Sequence, residues 1–164
     1  MITFSEVKTD EQLNELAAIA SKIWNEHYPA IIGQVQVDYM LAKMYNVDAI
    51  KEQIAQGQTF IAAYDGSEML GFLSYSVKDK KDYFIHKWYV DVSKHSKGIG
   101  RGLFDYVFKD LEYSTIRLTV NRHNIKPINF YFKMGFKIEK IINIDIGEGF
   151  VMNDFMMLKE KPTH

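Results

Sequence analysis

The chain has no cysteine among its 164 residues. That removes disulfides, cysteine–zinc centres and a cysteine nucleophile together, and it suits a reducing compartment such as the cytoplasm. Proline is scarce: only Pro29, Pro127 and Pro162. With no Pro/Gly/Ser-rich stretch, internal repeat or low-complexity tract, a domain boundary has nowhere to fall, and one domain over residues 1–164 is expected. Net charge is almost absent, at -1, and no basic stripe is present, which argues against a nucleic-acid partner. No apolar run is long enough to span a bilayer. The opening Met-Ile-Thr-Phe-Ser-Glu lacks the basic-then-apolar order of a leader, so no membrane role is expected. The five histidines (His27, His86, His95, His123, His164) show no metal-ligand spacing, and no metal is expected.

What remains is rich in core-forming residues, with 47% hydrophobic and 14% aromatic side chains, enough for a compact globular protein. Residues 2–7 alternate as a short strand. Thr9 or Asp10 can cap a helix through Leu13, Leu16, Ala17, Ala20, Ile23 and Trp24, ending near His27-Tyr28-Pro29. An apolar connector, Ala30 to Met40, leads to two short helices around Asp38–Tyr45 and Asp48–Gln56. From Thr59 the period becomes that of strands: Thr59–Tyr64, an Asp65-Gly66 turn, and Met69–Val77. Lys78 to Asp82 reads as a solvated charged turn. A strand Tyr83–Val92, a helix, strand Thr115–Val120, a second helix, and strands Lys137–Asp145 and Phe150–Leu158 complete the chain. An antiparallel half joined to a βαβ-like half predicts an α/β protein with a mixed sheet.

One stretch carries chemistry. The apolar run Phe84, Ile85, Trp88, Tyr89, Val90, Val92 reads as a buried strand. It is followed by a polar link, by Gly98, Gly100 and Gly102, and by a helical face of Leu103, Phe104, Val107, Phe108 and Leu111. Glycines let a ligand approach the backbone, and the first N–H groups of a helix point outward with a partial positive charge behind them. Lys97 and Arg101 add full charges at the same end. Amides over residues 97–102 (Lys97, Gly98, Ile99, Gly100, Arg101, Gly102) thus form a cradle for the diphosphate of a nucleotide-like cofactor. Leu103 stands where a dinucleotide fold needs its third glycine, and no Gly-Lys-Ser/Thr follows, so neither the Rossmann nor the P-loop pattern is met.

His95-Ser-Lys-Gly98-Ile-Gly100, continued by Arg101-Gly-Leu, resembles motif A of the GNAT superfamily of N-acetyltransferases, with His95 in place of the usual Gln or Arg. Leu118 to Phe136 resembles motif B, with Asn124, then Tyr131, then Gly135-Phe136, and with Pro127 replacing the usual alanine in the first helical turn. The likeness spans roughly residues 58–158. It implies a mixed, mostly antiparallel central sheet flanked by helices, with strands splayed around a bound acyl-CoA. It also implies acetyl-CoA as co-substrate and an amine as acceptor. By the same resemblance Trp88 to Val92, with Tyr89, Val90 and Val92 among them, would offer backbone hydrogen bonds to the pantetheine arm. Asn124 would contact the cofactor or simply cap its helix, and Tyr131 would protonate the leaving thiolate unless it is only a core aromatic beside Phe130 and Phe132.

Acetyl transfer also needs a group to take the ammonium's proton. The family's usual glutamate position corresponds here to Phe84, which cannot serve. Two residues on, His86 occupies the same strand face. With a reference pKa of about 6.5 it is the sequence's candidate base, the alternative being a merely packed histidine. Asp145 or Asp154 would instead bind a cationic acceptor. Trp24, Tyr28, Tyr39 and Asp145 are candidate walls of the acceptor site, between the N-terminal connector and the final hairpin. The absence of cysteine and of a Gly-x-Ser-x-Gly elbow favours direct transfer in a ternary complex over an acyl-enzyme. A homodimer is compatible with the sequence. Two other classes stay open: an acyl-CoA-binding sensor or structural subunit without turnover, and a nucleotide-binding enzyme with a similar turn.

Overall fold

The computed structural model describes residues 1–94 and 98–162. The elements run β1 (Ile2–Glu6), α1 (Asp10–His27), α2 (Pro29–Ile32), α3 (Gln34–Met44), α4 (Val47–Ala55), β2 (Thr59–Asp65), β3 (Glu68–Asp79), β4 (Asp82–Val90), α5 (Ile99–Phe108), β5 (Thr115–Asn121), α6 (Ile125–Lys133), β6 (Lys137–Gly147) and β7 (Phe150–Glu160). The strands form a sheet in the order β1-β2-β3-β4-β5-β7-β6, with β4 and β5 parallel and most of the other neighbours antiparallel, which is the mixed α/β class expected. The residues group into two compact units, Met1–Ser76 with Lys87–Leu111, and Val77–His86 with Glu112–His164.

In the first unit, α1 starts on a full capping box. The Thr9 hydroxyl accepts from Gln12 N at 3.1 Å while Gln12 Oε1 accepts from Thr9 N at 3.0 Å, satisfying two amides the helix cannot. Its apolar stripe buries Leu13, Leu16, Ile19, Ala20, Ile23 and Trp24. The stretch expected to be a connector is helical. Pro29 opens α2 at a position where its missing N–H costs nothing, Gly33 at φ 85° breaks the chain, and α3 begins at Gln34 with Val37 and Met40 buried. The helix expected around Asp38–Tyr45 thus starts a turn sooner, and α2 precedes it, because the apolar spacing here carries no cap signal.

Strand β4 ends at Val90, two residues sooner than its apolar pattern suggests. Asp91 turns the chain by accepting from Ser93 N at 3.0 Å and, through its carbonyl, from Lys94 N at 3.1 Å. Val92 is therefore not a buried strand residue; it sits in a 3-10 turn and is 86% exposed.

In the second unit, β4 pairs with β5 from Asp82↔Thr115 to Ile85↔Leu118, and β5 pairs with β7 along its whole length. The charged segment Lys78–Asp82 is mostly strand, with only Lys80 and Lys81 outside β3 and β4 and Lys80 at φ 50°. Helix α6 ends at Lys133, with Met134 as its C-cap and Gly135 at φ 95°, the left-handed residue that stops a helix. Lys159 Nζ donates to the freed Met134 carbonyl at 2.7 Å.

Candidate active site

The donor end is built in the first unit. Gly98 takes a left-handed conformation (φ 79°, ψ 7°) as the N-cap of α5 and offers no side chain to the helix amides. The first bond of the helix runs from Gly102 N to Gly98 O at 2.8 Å, so the amides ahead of it have no partner within the helix. Ile99 turns its side chain into the core (2% exposed) and leaves only its backbone to a ligand, while Arg101 is exposed. Gly102 has a packing reason to be small: a Cβ there would come within 2.5 Å of the Phe4 ring. Lys97 and His95 lie outside the described residues. Trp88 holds the turn from below, its Nε1 donating to Gly100 O at 3.0 Å and its ring stacking on Phe104 at 5.5 Å.

The end of β4 is fixed from two sides. Gly71 lets the strand come close, since a Cβ there would meet Tyr89 O at 2.5 Å and Val90 Cα at 3.0 Å. Buried Asp91 accepts from Lys22 Nζ at 3.0 and 2.8 Å and from the Ser93 hydroxyl at 2.7 Å. Burial would raise its pKa, but the hydrogen bonds from Lys22 and Ser93 outweigh that and hold it below the usual carboxylate value.

Beside Tyr89 lies an aromatic group. Trp24 stacks on Tyr28 at 4.2 Å and lies 5.4 Å from Tyr45 and 6.0 Å from Tyr89. The Trp24 Nε1 is buried without a hydrogen-bond partner, and burial raises the Tyr45 phenol above its ordinary pKa. Of the proposed acceptor walls, Trp24 and Tyr28 are thus together, both buried. Tyr39 lies on α3 next to Lys43, whose Nζ is 3.5 Å from its hydroxyl. Lys87 is a surprise. It is 2% exposed, its Nζ donates to Gln53 Oε1 at 2.6 Å and Gln58 Oε1 at 3.3 Å, and it lies over the Tyr45 and Phe60 rings at 5.6 and 5.3 Å. Burial pulls its pKa down to about 8. A lysine inside an apolar strand gave the one available signal.

The second unit carries Tyr131, buried on α6 with Phe130 and Phe136 rings at 5.9 and 6.1 Å. Asn124 is the N-cap residue of α6 and is buried, yet its side chain does not cap the helix. Register sets the sheet faces here, because paired residues share a side. Phe84 and Arg117 face one way, so His86, Thr119, Asn121, Asp154 and Met156 line that same face. His86 is half-buried and its ring lies 4.9 Å from Phe84. Asp145 is exposed, and its Oδ1 accepts from Gly147 N at 2.9 Å, a hairpin contact. Asp154 is 1% exposed, and neither carboxylate oxygen has a hydrogen-bond partner. Burial pushes its pKa up to about 6, against smaller lowering effects of Thr119 and Arg122. Among the described residues no three His, Asp or Glu side chains group to hold a metal ion, and no helix is long and apolar enough to cross a membrane.

Comparison with known proteins identifies the family and the fold. The family model for the acetyltransferase (GNAT) domain matches residues 30–143, more than half of the chain. A spermidine N(1)-acetyltransferase of Thermoplasma acidophilum is 25% identical over 137 residues, covering 79% of this chain and 84% of that protein. The solved structure of the PaiA N-acetyltransferase from Thermoplasma acidophilum, in complex with coenzyme A, superposes with a TM-score of 0.80 at 22% identity over 98% of this chain and 99% of that one. The ribosomal-protein-S18-alanine N-acetyltransferase of Escherichia coli gives a TM-score of 0.69 at 18% identity over 98% and 94%. The chain belongs to the GNAT acetyltransferase family. It is, as that family implies, an acetyl-CoA-dependent N-acetyltransferase.

Proposed function

We propose that the protein acetylates a primary amine of a small polyamine-like molecule, by direct transfer from acetyl-CoA, in the cytoplasm. The observation that carries the choice of acceptor is the likeness to the spermidine N(1)-acetyltransferase over 84% of that protein's length. The coenzyme A bound in the related PaiA structure supports the donor.

The amides at the start of α5, with Arg101 beside them, would hold the donor's diphosphate, aided by the helix dipole. The backbone from Tyr89 onward would hold the pantetheine arm. The acceptor reaches solution as an ammonium and must lose a proton before its nitrogen attacks. The N–C bond forms as the C–S bond breaks, and the departing thiolate takes the proton of the Tyr131 hydroxyl; the second proton of the acylated nitrogen leaves to solvent, and the phenolate regains one from solvent. A phenol with a reference pKa of about 10 stays protonated until that moment. On the amine side, His86, Thr119 and Asp154 share one face.

The test is a panel of polyamines, amino acids and peptide N-termini, each incubated with acetyl-CoA while free thiol is measured. Polyamines should be turned over with the highest kcat/KM. A preference for peptide N-termini would refute this acceptor, and no release with any amine would refute the transferase itself.

A further inference from the structure

The chain spends stability on one group that the fold does not use. Asp154 sits in the middle of β7, opposite Asn121 of β5 and Ile142 of β6, with 1% of its surface exposed and no donor on either oxygen. Buried carboxylates are normally paired or hydrogen-bonded, because removing the charge from water otherwise costs several kcal/mol. Arg122, next after β5, turns to other partners. The Arg122 Nη2 goes to Asn143 Oδ1 at 2.7 Å, and Arg122 N goes to Asn153 O at 3.0 Å.

The other charged groups on this face are also accounted for. Arg117 is tied to Glu139 through two contacts of 3.0 Å, Asp82 accepts from the Thr115 hydroxyl at 2.6 Å, and Lys140 is exposed. Among the described residues Thr119 and Arg122 bear on the Asp154 carboxyl, the Thr119 hydroxyl as the donor nearest to it and Arg122 through its charge. Thr119 is itself half-buried, so its hydroxyl is the more accessible end of the pair.

We propose that Asp154, acting through the Thr119 hydroxyl, receives the proton that the acceptor ammonium gives up before acetyl transfer. This rests on the amine-transfer reading above, without which there is no proton to move. The Thr119 oxygen accepts one proton from the ammonium and passes its own to the carboxylate. The products of the step are a neutral amine, an unchanged hydroxyl and a neutral carboxylic acid, and the acid later returns its proton to solvent. A carboxylate buried away from water is a stronger base than a solvated one, which suits it to this step near neutral pH. Because it does not touch the amine, Asp154 is a positioning residue, and its signature is a pH profile. His86 shares the face and is the competing proton acceptor.

The experiment compares kcat/KM against pH, with the best amine of the panel, for the wild type and for Asp154→Asn, Thr119→Val and His86→Ala. Titration of coenzyme A into each protein accompanies it. The wild type should lose activity on acidification with an apparent pKa near 6. Asp154→Asn should fall roughly 10²-fold at pH 7.5 and lose that acid limb. Thr119→Val should do the same, and coenzyme A affinity should be unchanged in both. If Asp154→Asn stays within about twofold of the wild type and keeps the limb, or if His86→Ala alone abolishes it, the proposal is overturned. A wild type that binds coenzyme A but acetylates no amine overturns the underlying reading and this inference with it.

Discussion

Replacing Asp154 by asparagine should make the protein more stable, and only above a defined pH. The carboxyl titrates at about 6 when folded against a reference of 3.8, with burial as the leading cause. A folded pKa above the unfolded one means the native state binds more protons between those values. The group's stabilising contribution is therefore fully present below pH 3.8 and is lost as pH rises through 6. The shift corresponds to about 3 kcal/mol at pH 7.5, and the same linkage gives about 1.5 kcal/mol at pH 5. Asparagine is nearly the same size and never ionises, so it escapes this cost. Its own amide, lacking partners, returns a pH-independent penalty of about 1–3 kcal/mol. The robust quantity is thus the change with pH. The variant's advantage in urea unfolding should grow by about 1.5 kcal/mol between pH 5 and pH 7.5. A difference that is flat or that shrinks over this range would mean the carboxylate is partnered in the native protein, and the argument from its isolation would fail.

Lys87 gives the mirror case. Burial lowers its pKa from 10.5 to about 8, so stability should rise between pH 8 and 10.5 in the wild type, and Lys87→Met should erase about 3 kcal/mol of that rise in pH-dependent unfolding. Equal slopes for the two proteins would show that Gln53, Gln58 and the two rings fully compensate the charge. Gly71→Ala should force the Tyr89–Val90 backbone to move, costing about 1–3 kcal/mol in urea unfolding and weakening coenzyme A binding; unchanged affinity would separate that strand from the donor site. Tyr131→Phe should lower kcat about 10²-fold while leaving coenzyme A affinity intact, and an unchanged kcat at saturating amine would assign the leaving-group proton elsewhere.

Much of the layout is legible in the residues because local chemistry and tertiary structure agree there. The Thr9 cap, the Asp65-Gly66 turn, Gly98 at the start of α5 and Gly135 after α6 each occupy the position that their backbone conformation requires. The misreadings arise where local pattern and fold diverge. Pro29 and Gly33 look like loop punctuation but stand at the edges of two helices. Val92 continues an apolar run yet faces solvent, because the Asp91 side chain and carbonyl turn the chain first. The glycine turn into α5 could be read because glycine spacing and a helix start are sequence-local. The grouping of His86, Thr119 and Asp154 could not, since it depends on which side chains the strand register places on one face. Nothing local marks Asp154 as lacking donors, or Lys22 as the partner of Asp91 across 69 positions.

The central claim, a diphosphate held by backbone amides at the start of α5, is tested most directly by titrating coenzyme A into the wild type and into Gly100→Glu. The glutamate would fill the cradle and oppose the phosphates, while the Trp88 bond to the residue-100 carbonyl needs no glycine. Binding should be lost in the variant with the circular dichroism spectrum unchanged. An affinity equal to that of the wild type would contradict the claim.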